Sequence, residues 1–186
     1  METKNFENFA GVWTALITPF NEDGSIDWSA FHALIEKQVE EGVTGLVVSG
    51  TTGESPTLTL EEKLTLIKEC KKRLNNSDVL LMAGTGGNDT KKSVEVSKMA
   101  IEAGVDALLI VTPPYNKPNE SGLVGHFQTI ADSCKIPMCL YHVPARTGLR
   151  LSPQIIEKLC EIRNIGMVKE ASGDMALFAE SCLRSD

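Results

Sequence analysis

Paired cysteines, an excess of positive charge and long apolar runs are all missing from this 186-residue chain. Its five cysteines, Cys70, Cys134, Cys139, Cys160 and Cys182, are odd in number and show no C-x-x-C spacing, which excludes a disulfide scaffold. Lying in apolar strand or helix patterns, they read as reduced core thiols of a cytoplasmic protein. Lys and Arg number 18 against 25 Asp and Glu, a formal net charge of −7. Without a basic stripe, neither a nucleic acid nor an acidic membrane surface is an expected partner. The most membrane-like stretch is Ala107-Leu-Leu-Ile-Val111, far short of the roughly 20 apolar residues of a spanning helix. Met1-Glu-Thr-Lys-Asn-Phe-Glu7 has no apolar core of the kind a secretory signal carries. Gly84-Thr-Gly-Gly-Asn88 lacks the G-x-G-x-x-G spacing of a dinucleotide loop, and no His, Cys or Asp spacing suggests a metal site. What is present is 42% apolar and 23% charged residues with 15 glycines, the composition of a globular protein with a sizeable core.

Short aliphatic runs alternate with stretches of helical period. The pattern predicts strands at 12–18, 45–49, 79–83, 107–111, 138–141 and 165–169. Helices are predicted at 28–41, 60–74, 91–103, 122–134 and 153–160, with a sixth from about 175 to the end. Asp27, the Asn88-Asp89-Thr90 run and Ser152-Pro153 supply helix-start signals. Glu41-Gly-Val-Thr-Gly-Leu-Val-Val48 is echoed by Ala103-Gly-Val-Asp-Ala-Leu-Leu-Ile110, a helix stop at glycine followed at once by a buried strand. Apolar strands in strand–helix units imply an α/β fold with a parallel sheet covered by helices. An open doubly wound sheet and a (β/α)8 barrel compete. A barrel takes eight units, so on that reading residues 1–186 form a single barrel domain, incomplete at the C-terminus, that supplies about the first six.

Four strand ends favour the barrel, because each runs into a polar or turn-rich segment. These are Gly50-Thr-Thr-Gly-Glu-Ser55, Thr112-Pro-Pro-Tyr-Asn-Lys-Pro118, Tyr141-His-Val-Pro-Ala-Arg-Thr-Gly148 and Lys169-Glu-Ala-Ser-Gly-Asp174. A closed or strongly curved parallel sheet makes such ends converge, and barrel active sites lie at that face. Period-2 alternation in Ile165-Gly-Met-Val-Lys169 puts Met167 and Lys169 on one face, opposite Val168. An interior amine there loses water, which favours its uncharged form, able to attack a ketone carbon and form a Schiff base; the plainer alternative is a solvated strand-end lysine. Thr51 and Thr52, between Gly50 and Gly53, offer hydroxyls and backbone N–H groups to a small carboxylate, or simply form a turn. Tyr141 can exchange a proton with a carbonyl or carbinolamine oxygen, or be a half-buried strand aromatic. Tyr115, behind Pro113-Pro114, is an odd aromatic on a stiff loop unless a partner subunit or substrate covers it. Arg146 presents a planar fork suited to a second carboxylate, or to solvent. His32 and His126 fall in helical patterns, and Lys71-Lys72-Arg73 reads as a solvated helix end.

In this order, GTTGES, TPPYNKP, YHVPARTG and KEASGD closely resemble the dihydrodipicolinate synthase branch of the pyruvate-dependent lyase and aldolase family. The resemblance runs from Gly11-Val-Trp-Thr-Ala-Leu-Ile-Thr-Pro-Phe20 to the last helix. It implies a (β/α)8 barrel in which Lys169 forms a Schiff base with pyruvate, with no separate cofactor. It further implies that Tyr141, Thr52 and a Tyr115 reaching over from a neighbouring subunit relay protons. Thr51, Thr52 and Gly53 would bind the pyruvate carboxylate, and Arg146 that of L-aspartate 4-semialdehyde. The complete family form is a homotetramer. His142 stands where the family commonly has Asn, and Ala145 where it has Gly or Ser. Lysine-inhibited members carry His and Glu at the positions of Lys63 and Lys92 and Tyr at that of Pro114, so feedback by lysine is not expected.

Two other readings differ in class or substrate. N-acetylneuraminate lyase or a 2-keto-3-deoxy sugar-acid aldolase would share Lys169, Tyr141 and the Gly50–Gly53 loop, but would not want a second carboxylate fork at Arg146. A truncated, non-catalytic paralogue or fragment would keep the motifs and act as an assembly element.

Overall fold

The computed structural model describes residues 6–184. The leader reading of residues 1–5 and the extension of the last helix to Asp186 lie outside them. The strands are β1 (Trp13–Ala15), β2 (Gly45–Val48), β3 (Leu80–Gly84), β4 (Ala107–Val111), β5 (Met138–His142) and β6 (Ile165–Glu170). All pair in parallel and in sequence order, β1-β2-β3-β4-β5-β6. The helices are α1 (Trp28–Glu40), α2 (Leu60–Arg73), α3 (Thr90–Glu102), α4 (Glu120–Ser133), α5 (Pro144–Thr147), α6 (Pro153–Cys160) and α7 (Met175–Arg184). This is a curled, unclosed part of a (β/α)8 barrel, with six of its units.

Side-chain caps fix where the helices start. Asp27 accepts from the Ala30 N–H at 2.9 Å and Asn119 from the Gly122 N–H at 2.9 Å, while Thr59 and Glu62 form a reciprocal capping box at α2. Gly42 and Gly104, with φ of +74° and +96°, take the left-handed conformation that ends α1 and α3 and turns the chain into β2 and β4. The expected basic end of α2 is not simply solvated: Lys71 pairs with Asp106 at 3.1 Å, which also accepts from the Leu81 N–H and so ties the helix to β3. Strand β1 is shorter than its apolar run. After the Leu16 N–H donates to Val47, the chain reaches Pro19, which has no N–H, and folds back in a Phe20–Ile26 bridge. The four-residue α5 was not expected.

The sheet has two different faces. Leu46, Leu81, Leu108, Ile110, Leu140 and Ile165 face outward and are sealed under the helices with Phe31, Ile35 and Phe127. Val47, Met82, Leu109, Cys139 and Tyr141 face inward, packed with Trp13, Ala15 and Met167. Phe9 stacks on Trp13 with ring centroids 5.9 Å apart, and the Trp13 indole N–H donates to the Phe9 carbonyl. A Cβ on Gly45 would meet the Trp13 ring at 2.3 Å, and one on Gly166 would meet Phe6 at 2.0 Å. Those glycines therefore make room for an aromatic plug on the inner face. Cys70, Cys134 and Cys139 are buried as expected, but Cys182 is exposed, because α7 turns Leu177 and Ser181 inward instead.

Candidate active site

Strands β5 and β6 are in register at Tyr141–Lys169, with Cys139 opposite Met167 and Leu140 opposite Val168. The alternation read from sequence holds, and Lys169 turns inward with Met167. Its Nζ stands over the Tyr141 ring, 4.6 Å from the centroid. Tyr141 is buried and Lys169 half-buried. Cys139 lies beside them with its thiol pushed up to about 12 by burial, an effect that the Lys169 N–H and charge only partly counter. It stays protonated at neutral pH.

The loop after β2 is anchored from below. Thr18 Oγ1 donates to the buried Gly53 carbonyl at 2.8 Å, and a Cβ on Gly53 would approach the Leu16 carbonyl to 3.0 Å. Gly53 thus serves the close approach of loop and β1. Gly50 and Thr51 carbonyls accept from Ser55 and Glu54 N–H groups, at 3.2 and 3.1 Å. Ser49 and Glu54 bracket the loop with left-handed φ of +56° and +55°. The Ser49 hydroxyl is buried without a hydrogen-bond partner among the described residues; a serine at the end of an apolar strand gave no signal of this in the sequence.

A cleft of about 500 Å³ opens at this rim, with Ser49, Thr51, Tyr141 and Arg146 along one part of its wall and Lys63 and Lys92 along another. Lys169 lines instead a hollow of about 510 Å³ on the inner face, with Trp13, Val47, Met82 and Met167. Tyr141 is in the wall of the cleft with the lysine amine over its ring, and Leu109 lines both spaces. Thr52 is exposed on the turn and lines neither space. Tyr115 is 87% exposed at φ +70°, its N–H held by the Thr147 carbonyl at 3.1 Å. Arg146 is exposed on α5, whose first residue, Pro144, suits a helix start. Burial and the neighbouring Lys92 charge hold the Lys63 amine below its usual value.

Behind Tyr141 and Lys169, on the outer face, His142 Nδ1 lies 2.6 Å from Glu170 Oε2, with the two side chains 0% and 8% exposed. The motifs placed His142 beside Tyr141 but did not show this pairing. Among the described residues, no group of three or more His, Cys, Asp or Glu side chains could hold a metal ion.

The sequence profile of the Dihydrodipicolinate synthetase family matches residues 8–184. The chain belongs to that family. It is 48% identical over 172 residues to a 4-hydroxy-tetrahydrodipicolinate synthase of an Exiguobacterium species, covering 92% of this chain and 58% of the relative. The crystal structure of dihydrodipicolinate synthase from Aquifex aeolicus superposes with a TM-score of 0.89 at 42% identity, over 95% of this chain and 60% of that one. The Acinetobacter baumannii enzyme, described as chloride-inhibited and in complex with pyruvate, gives 0.87 at 42% identity, over 90% of this chain and 57% of its own. The dihydrodipicolinate synthetase family chain described here thus spans between 57% and 60% of the length of these three relatives.

Proposed function

We propose that the chain carries the pyruvate-activating part of a class I aldolase-type lyase that condenses pyruvate with L-aspartate 4-semialdehyde to 4-hydroxy-tetrahydrodipicolinate, on the route to diaminopimelate and lysine. The observation that carries this reading is the Lys169 amine held 4.6 Å over the Tyr141 ring at the C-terminal ends of two paired strands. The uncharged Nζ adds to the pyruvate carbonyl carbon, and the oxygen, once protonated, leaves as water to give the imine. Loss of a methyl proton gives an enamine whose terminal carbon bonds to the aldehyde carbon of the second substrate, and that substrate's own amine then adds to the imine carbon and displaces Nζ, closing the ring and freeing Lys169. Tyr141, in the wall of the rim cleft and under the lysine amine, carries protons for these steps. Thr51 and Thr52 hold the pyruvate carboxylate on a loop fixed by Gly53, and Arg146 receives the carboxylate of the semialdehyde. The exposed, backbone-held Tyr115 supports the reading that it serves a neighbouring copy in a homotetramer. No helix among the described residues is long and apolar enough to cross a membrane, and the proposed setting is cytoplasmic.

Incubation with pyruvate and borohydride, followed by peptide mapping, tests the reading. One reduced adduct is expected, at Lys169, and none in Lys169→Ala. An adduct elsewhere, or its persistence in Lys169→Ala, overturns the assignment; no adduct at all favours a non-catalytic paralogue.

A further inference from the structure

We infer that His142 and Glu170 are positioning residues that select the strand register turning Lys169 inward. Two registers compete between β5 and β6. The observed one pairs Met138 with Ile165 but Cys139 with Met167, so Gly166 is taken up as an extra residue in a bulge. A bulge-free continuation would instead set Tyr141 opposite Val168 and His142 opposite Lys169. Because side chains alternate with period 2, that slip sends both Met167 and Lys169 to the outer face. Among the described strands β6 pairs only with β5.

The outer-face pair does distinguish the registers. His142 Nε2 accepts from the Leu151 N–H at 3.0 Å, which leaves Nδ1 to carry the proton and donate to Glu170 at 2.6 Å. The other carboxylate oxygen of Glu170 accepts from the Ser172 N–H at 2.6 Å. The two local bonds hold each partner in place, and the one that crosses the strands, from His142 to Glu170, exists only when the two stand opposite each other. In the slipped register His142 meets the Lys169 amine, and the imidazole and the carboxylate lose each other inside the protein, a costly arrangement. Gly166 makes the bulge possible, since Phe6 occupies the space of a side chain there. The bond on the outer face therefore sets the contact between Lys169 and Tyr141 on the inner one.

The inference rests on the proposed imine chemistry, and two readouts separate them. In the full chain, His142→Leu removes the donor, whereas His142→Asn keeps an amide nitrogen near the place of Nδ1. His142→Leu should trap pyruvate with borohydride at least about tenfold more slowly. Limited acetylation with acetic anhydride, mapped lysine by lysine, should label Lys169 at least about threefold more slowly, since the slip puts it in the 8%-exposed place of Glu170, with the other lysines unchanged. His142→Asn should stay within about threefold of the unmodified chain in both. Glu170→Ala, which removes the acceptor without added bulk, carries the same expectation as His142→Leu and replaces it if that variant fails to fold. Unchanged or faster Lys169 labelling in a folded His142→Leu or Glu170→Ala, labelling that changes at every lysine, or equal loss in His142→Asn overturns the inference. If the unmodified chain traps no pyruvate, the function fails while the acetylation pattern still decides the register.

Discussion

On the outer face of the sheet, Leu46, Leu81, Leu108, Ile110 and Leu140 lie at 0% exposure beneath the helices, whereas on the inner face Val47, Met82, Leu109 and Cys139 border an open hollow of about 510 Å³. Both faces belong to the same strands, and neighbouring residues such as Leu108 and Leu109 differ only in which way they point. The difference teaches that stability is concentrated where side chains meet a second layer, and that the groups able to do chemistry sit where that layer is absent. Lys169 lines that hollow, which the helices do not cover.

The sharpest way to break this contrast is to truncate the two neighbours on β4. Leu108→Ala should cost about 3–5 kcal/mol, since it opens a cavity in a sealed core, whereas Leu109→Ala merely enlarges an existing hollow and should cost about 2 kcal/mol or less. Urea unfolding of both variants measures it, and equal losses would mean that the inner face is packed as well as the outer. Next in size is Arg146→Ala at the rim. Loss of a charge-assisted contact of about 1.5–3 kcal/mol corresponds to a drop of about 10- to 150-fold in kcat/KM for the semialdehyde. Pyruvate trapping should be nearly unchanged, and an equal fall in trapping and turnover would place Arg146 in the support of the fold.

Glu170 carries the contrast into pH. Burial pushes its carboxyl up, but the bonds from Ser172 and His142 outweigh this and hold it below the usual value of 4.5. A carboxyl lowered on folding adds stability that is fully present above its unfolded value and is lost as pH falls through the folded one. Glu170→Gln should therefore lower stability at neutral pH by about 1–2 kcal/mol, and the gap from the unmodified chain should close as acid is added. A gap that is constant across an acid titration followed by thermal unfolding would show that the charge of Glu170 contributes nothing.

The smallest effect is expected at Lys63. An amine lowered on folding makes the protonated form a burden on the native state, so stability rises as pH climbs through the folded value. Lys63→Met should remove that rise and gain about 0.5 kcal/mol at neutral pH. A loss in Tm would show instead that the lysine stem is packing against the cleft wall.

Much of this was legible because the signals are local. Apolar runs of four or five residues ending in glycine or polar turns marked β2 to β6, and Asp27, Asp89 and Ser152 marked helix starts that the hydrogen bonds bear out. The period-2 reading placed Met167 and Lys169 together, although it could not see that Gly166 is a bulge, since a bulge depends on the partner strand. The early end of β1 and the four residues of α5 fell below the length at which periodicity speaks. The packing of Phe6 and Phe9 gave no signal in the sequence, because Phe6 fits against Gly166 and Phe9 stacks on Trp13, itself over Gly45, far along the chain. The cleft, the orphaned Ser49 hydroxyl and the His142–Glu170 bond arise from residues brought together only by the curl of the sheet.

The strand order β1 to β6, each strand beside the one before it, has a kinetic consequence. Every pairing is with the strand just before it, so loop closure never has to reach past another strand, and the entropic barrier to adding each unit stays modest. Such a chain can assemble from its N-terminus while it is still being synthesised. Synthesis would then complete the lysine's own platform, β5, just before β6 arrives, so that Lys169 meets Tyr141 as the last pairing closes.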